Sequence, residues 1–241
     1  NDTHEVKLVS VYRDSYLDIG NSTYRKCNAA YANGGPEQAI SMLNTNLDLN
    51  ITDYVTVDFN AVVECVDLLG GVEMTVTDEE AVLMHGYMDE ISKLTKKKSE
   101  YLPGAGTYTM DGVQACAFAR IRYTAGDDYK RTERQREVVL KLLDKVKKMS
   151  FEDMDRLATR LLPLLTHNVP ESEFWGLLAK APTLINYKIV SDRIPYDGMY
   201  HSYNGDLVPD WESTVRKLKE TIYGADVLDD EGNVVTPTPT Q

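Results

Sequence analysis

"DYVTVDFNAVVECVDLLGGVEMTV", residues 53–76, decides the fold class. Its opening, "DYVTVDF", is rich in β-branched and aromatic residues and reads as a strand. "NAVVECVDLLGG" is apolar at helical spacing and closes on Gly70-Gly71, the usual stop for a helix. "VEMTV" alternates apolar and polar again, which predicts a second strand. Strand, helix and strand in so short a span describe layered α/β structure rather than a helical bundle or an all-β barrel.

The rest of the chain extends the pattern. Upstream, residues 6–13 of "VKLVSVYRD" predict a strand running into a loop at Arg13-Asp14. "YRKCNAAYANGG" predicts a short helix stopped by Gly34-Gly35, and Pro36 starts the next helix, "PEQAISMLNTNL". Downstream, "DEEAVLMHGYMDEISKL" is an amphipathic helix, and "DGVQACAFARIRY" begins helical and turns extended by Arg120. A long helix is expected from about Tyr129 to Met149, helices over 151–165, 171–181 and 210–224, and a strand over 186–194. The expected architecture is a three-layer αβα sandwich with a central mixed β-sheet. It forms one domain over residues 1–224, followed by a flexible Pro/Thr-rich tail at 225–241.

Composition excludes several functions. The hydrophobic fraction of 42% supports a real core, and the net charge of −12 argues against general nucleic-acid binding. No apolar run reaches the roughly 20 residues that span a bilayer. Cys27, Cys65 and Cys116 are odd in number and lack a Cys-x-x-Cys spacing. The four histidines are scattered, so neither a redox pair nor a histidine zinc site is expected. "KKK" at 96–98 reads as a solvated loop, Trp175 and Trp211 as packing residues. Phe59, Val62, Val63 and Val66 read as core.

Against this acidic background, "RIRYTAGDDYKRTERQR" (120–136) holds five of the chain's eleven arginines. A guanidinium grips carboxylate or phosphate with two parallel donors. In an extended stretch Arg120 and Arg122 point to one side. Val138, Val139, Leu142, Leu143, Val146 and Met149 mark the apolar face of the following helix. Running that face backward places Arg131, Arg134 and Gln135 over it. Inward charge persists only with a partner. That partner is either an internal acid, with Asp128 and Glu64 the candidates, or an anionic ligand at the helix N-terminus. Arg13, at the end of the first strand, is a further fork for such a ligand.

The same blocks resemble the LytR-CpsA-Psr family, bacterial enzymes that attach glycopolymers to the cell wall. "SVYRDSYLDI", "KCNAAYANGGPEQAI", the 53–76 block, "LPGAGTYTMDGVQACAFARIRY" and "GDDYKRTERQREVV" occur in the family's order, from about residue 6 to 148. An isolated Arg-x-Arg would be weak, whereas five ordered blocks are specific. The resemblance implies a Mg²⁺-dependent phosphotransferase that moves a glycopolymer from a polyprenyl-pyrophosphate carrier onto a peptidoglycan acceptor. It implies pyrophosphate contacts from Arg13, Lys26, Arg120, Arg122, Arg131 and Gln135. It makes Asp128 the carboxylate that takes the proton of the attacking hydroxyl, with Arg122 and Arg131 catalytic beside it. A non-catalytic module that holds polyprenyl phosphate or pyrophosphate is the alternative. The family's metal-binding aspartates belong to strands preceding Asn1, so no Mg²⁺ ligand is assigned here, and the activity of this piece alone stays open. The implied location is the extracytoplasmic face of the membrane, held by an N-terminal helix outside this chain. Tyr12, where the family has Pro, and Cys27, where it has Leu, depart from the pattern.

Overall fold

The computed structural model describes residues 4–122, 127–224, 228, 229 and 234, and of residues 127–129 the backbone only. In chain order its elements are β1 (Glu5–Val11), β2 (Tyr16–Asp18), β3 (Tyr24–Lys26), α1 (Asn28–Leu47), β4 (Val55–Thr56), α2 (Phe59–Leu68), β5 (Val72–Val76), α3 (Asp78–Thr95) and β6 (Gly106–Met110). There follow α4 (Gly112–Phe118), α5 (Asp127–Val146), α6 (Phe151–Leu161), β7 (Thr166–His167), α7 (Glu171–Leu184), β8 (Lys188–Ile194), β9 (Tyr200–Tyr203), β10 (Asp206–Pro209) and α8 (Trp211–Tyr223). The mixed α/β class is as expected. The strands pair two by two: β1 with β8 in parallel, and β2–β3, β4–β7, β5–β6 and β9–β10 antiparallel. Among the described residues these ladders do not join into one central sheet.

The chain divides into two compact units, residues 55–186 and the two flanking segments, 1–54 with 187–241. In the first, β5 has the alternation its sequence promised: Val72, Met74 and Val76 are buried while Glu73 and Thr75 face out. The core around it takes Val63 and Val66 of α2, Met84, Met88 and Ile91 of α3, and Cys116 and Phe118 of α4. Reciprocal capping boxes fix two of these helices, Thr77 with Glu80 on α3 and Asp111 with Gln114 on α4. The predicted strand over 53–59 shrinks to two residues. Asp58 caps α2 by accepting from the Ala61 amide at 2.8 Å, and so starts the helix at Phe59.

α2 and α4 approach so closely that only hydrogen fits at Gly112. A Cβ there would lie 2.2 Å from the Val63 carbonyl oxygen and 2.7 Å from its Cα. Both obstacles are backbone and cannot rotate aside, so the helices must separate. Gly112→Ala is therefore expected to cost about 3 kcal/mol. Urea denaturation checks this, and an unchanged midpoint would contradict the close packing.

In the other unit, Leu17, Ile19, Ala30 and Met42 form one small core, and Leu47, Ile194, Tyr196 and Leu218 a second. The break expected at Gly34-Gly35 is present as a kink within α1, with φ/ψ of −147°/22° and 69°/−159°. "YRK", expected to be helical, is instead strand β3 in a hairpin with β2. Leu17 of that hairpin points into the core, and the antiparallel ladder pairs the two short strands along Tyr16–Asp18 and Tyr24–Lys26.

Candidate functional site

Arg120 is not in extended backbone. Its amide donates to the Ala117 carbonyl at 3.0 Å and that of Ile121 to Phe118 at 3.2 Å, so the winding of α4 continues through it. The same-side argument for Arg120 and Arg122 therefore fails, because helical winding rotates successive residues by about 100°. Arg120 gains something else. Its guanidinium lies 4.8 Å from the Phe59 ring centroid and 5.1 Å from that of Tyr87, and Nη2 meets Glu90 Oε2 at 2.9 Å. Its Nη1 is buried and makes no hydrogen bond among the described residues. Arg122, two residues on, is half-buried.

The inward stripe of α5 runs Arg131, Arg134 and Val138, which are 8%, 6% and 4% exposed. Gln135 is exposed, as is Val139 at 46%, so Gln135 does not share the stripe. The sequence offered two adjacent valines as markers of the inner face, and Val138 is the one that faces the core. Arg134 is held structurally. Its Nη2 and Nε donate to Glu80 Oε1 at 2.7 and 3.1 Å, Nη1 to the Ile121 carbonyl at 3.3 Å, and its plane lies 5.8 Å from the Phe118 ring. Through that carbonyl it fixes the Arg120–Arg122 turn against the inner face of α5. Burial would raise the Glu80 carboxyl pKa, but the Thr77 amide and the Arg134 guanidinium outweigh it and hold the pKa below its ordinary value.

Glu64, the other acid considered for the arginines, instead pairs with Lys97 at 2.8 Å, and Lys97 also meets Asp67 at 2.7 Å. The middle lysine of "KKK" is thus a tether to α2 rather than a solvated charge. Asp128 lies in the first turn of α5, and its side chain is outside the described residues.

Arg13 and Lys26 stand in the other unit. Arg13 Nε is buried, makes no hydrogen bond among the described residues, and lies 3.5 Å from Asp14 Oδ1. Lys26 Nζ lies 2.5 Å from the same carboxylate oxygen, 3.5 Å from Asp206 and 3.3 Å from the Gly205 carbonyl. The hydrogen bond to Asp14 raises its pKa. Cys27, just after it, donates to the Tyr12 carbonyl. Burial, and then the Asp14 carboxylate, push its thiol up to about 12 against the opposing pull of Arg13. That thiol is inert at neutral pH. Among the described residues no group of three or more His, Cys, Asp or Glu side chains is placed to hold a metal ion.

Sequence reasoning missed the clamp on Arg120 and the Glu80 partner of Arg134. Tyr87 and Glu90 are three apart on α3, so a shared face was legible, but nothing pointed that face at Arg120.

The fold is mixed α/β, and Arg120, Arg122, Arg131 and Arg134 lie in one of its two units, buried or half-buried. The chain belongs to the LytR_cpsA_psr family, whose model matches residues 1–220. Among its relatives, the polyisoprenyl-teichoic acid–peptidoglycan teichoic acid transferase TagT of Bacillus subtilis (strain 168) is 33% identical over 144 residues, 60% of this chain and 42% of the relative. TagV of the same organism is 27% identical over 223 residues, 90% of this chain and 55% of the relative. The solved structure "TagT bound to LI-WTA" matches with a TM-score of 0.66 at 25% identity, over 92% of this chain and 80% of that one. The chain spans about half the length of these two curated relatives. Among the described residues no helix is long and apolar enough to cross a membrane.

Proposed function

We propose that this domain binds the pyrophosphate head of a polyprenyl-linked glycopolymer and serves its transfer to a peptidoglycan hydroxyl. The observation that carries this reading is the Arg120 fork. Two aromatic rings and Glu90 set its orientation, and among the described residues its buried Nη1 donor meets no acceptor. A buried unpaired donor on a charged group costs free energy, and a phosphate oxygen would repay it. Arg122 and Arg131, in the same unit, are the further phosphate contacts. Gln135, exposed on α5, is proposed as a head-group contact from the rim.

In the reaction, the acceptor hydroxyl oxygen attacks the phosphorus that carries the glycan. The bond from that phosphorus to the bridging oxygen breaks, and polyprenyl phosphate leaves with the electron pair. Asp128 takes the hydroxyl proton. The arginines oppose the charge that builds on the bridging and equatorial oxygens. The Mg²⁺ that the family resemblance implies finds no ligand cluster among the described residues. Anchoring at the outer face of the cell membrane belongs to the same proposal.

Asp128→Asn keeps shape and removes the base. It is expected to lower transfer by about 100-fold while leaving lipid affinity unchanged. Transfer of a radiolabelled lipid-linked glycan, read beside lipid binding, checks both halves. Full transfer by the variant would remove Asp128 as the base, whereas lipid binding without transfer by the wild-type chain would leave the non-catalytic alternative.

A further inference from the structure

Arg120, Arg122 and Arg131 come from two different elements, the winding that continues α4 and the helix α5, so their mutual placement needs a tie between the two. Arg134 supplies one. It stands one turn beyond Arg131 on the inner face of α5, about 4.5 Å further along the axis. Its Nη1 donates at 3.3 Å to the carbonyl of Ile121, the residue between Arg120 and Arg122. Ile121 is anchored on its other sides too. Its side chain is fully buried in the core, and its amide donates to the Phe118 carbonyl at 3.2 Å. The carbonyls of a helix's last turn have no partner further along it, and a cation suits them both as donor and as charge against the negative end of the helix.

Arg134 is itself locked from behind. Nη2 and Nε donate to Glu80 Oε1 at 2.7 and 3.1 Å, while Glu80 Oε2 accepts from the Thr77 amide at 3.0 Å in the capping box of α3. Its side chain is 7% exposed and its guanidinium stands 5.8 Å from the Phe118 ring centroid. A line of contacts thus runs from the first turn of α3, through one guanidinium on α5, to the backbone between two arginines at the end of α4. A planar fork can serve a carboxylate and a carbonyl at once, which a single ammonium does poorly. We infer that Arg134 is a positioning residue of the phosphate site: with Glu80 it sets Arg120 and Arg122 against Arg131, and it does not touch the ligand. The inference rests on the reading of those three arginines as phosphate contacts. In a preorganised site a displacement of about 1 Å costs on the order of 100-fold, so the loss of such a tie is measurable.

The test compares a polyprenyl pyrophosphate with the matching prenyl alcohol, in one detergent, on two variants of the whole chain. Arg134→Met with Glu80→Leu removes the tie without stranding either charge. Arg134→Lys keeps a charge for Glu80 but not the fork, and carries the test if the double variant fails to fold. Each folded variant is expected to bind the alcohol within twofold of wild type, while its preference for the pyrophosphate falls at least fivefold. The Arg120 side-chain Nε–H resonance gives a second readout: pyrophosphate should move it in wild type and less than half as far in the variants. A preference within twofold of wild type in a folded variant overturns the inference and leaves the phosphate reading standing. Affinities for alcohol and pyrophosphate that fall together assign Arg134 to the fold alone, which overturns it as well. Equal affinity for the two ligands in wild type defeats the phosphate reading, and the inference with it.

Discussion

Arg131→Ala is expected to lower glycopolymer transfer by 100-fold or more, in line with the roughly 10²–10³ lost when one preorganised donor to a developing oxyanion is removed. Arg131 is 8% exposed on the inner face of α5, one turn before Arg134. Arg134 is held by Glu80 and the Ile121 carbonyl. The same helix thus carries two inward guanidiniums, of which Arg131 is the one proposed for substrate. Loss of packing could mimic loss of function, so the decisive companion is Arg131→Lys. Lysine keeps the charge and the stem but not the planar fork, and it is expected to restore the thermal melt while recovering little of the transfer. Full transfer by a folded Arg131→Lys would show that charge alone suffices and remove the bidentate grip from the mechanism.

Glu80→Gln is expected to be the most destabilising of the isosteric changes, by roughly 3 kcal/mol at neutral pH, because it strands the Arg134 charge in a buried site. The Glu80 and Arg134 side chains are only 16% and 7% exposed, so solvent screens their pair weakly. Glutamine can still complete the capping box with Thr77, which isolates the charge from the cap. The pH dependence gives a second check. The folded-state carboxyl pKa is depressed, so its stabilisation is complete above the unfolded value of about 4.3 and is lost as pH falls through the folded value. The gap between wild type and variant in urea midpoint should therefore be widest near pH 7 and close on acidification below pH 4. A gap independent of pH would assign the loss to packing. The double change Arg134→Met with Glu80→Leu should recover part of the stability, since apolar isosteres of a buried pair are often tolerated.

Much of this was legible in the sequence. "VEMTV" could be read to the residue because period-two alternation, two glycines before it and a capping threonine after it all agree. The Gly34-Gly35 break was equally plain. What failed were readings that depend on long-range partners. "YRK" looks helical by itself, yet it pairs with Tyr16–Asp18 to bury Leu17. The inward placement of Arg131 and Arg134 was correct, since an apolar stripe can be extended by spacing alone. The register between Val138 and Val139 was not readable, and Gln135 was misplaced with it. The identity of the acid facing Arg134 depends on how α3 packs against α5, and no spacing within either helix encodes that. The clamp of Phe59 and Tyr87 on Arg120 joins residues from three elements and has no linear signature.

The most direct test is equilibrium binding of a polyprenyl pyrophosphate, compared with the same prenyl alcohol in the same detergent. Both ligands share the apolar chain, so their difference isolates the head group. The arginine grip predicts at least tenfold tighter binding of the pyrophosphate, a preference that collapses in Arg120→Met, where Phe59 and Tyr87 keep their packing but the donors are gone. Equal affinity for alcohol and pyrophosphate in the wild-type chain, or a preference that survives Arg120→Met unchanged, would contradict it.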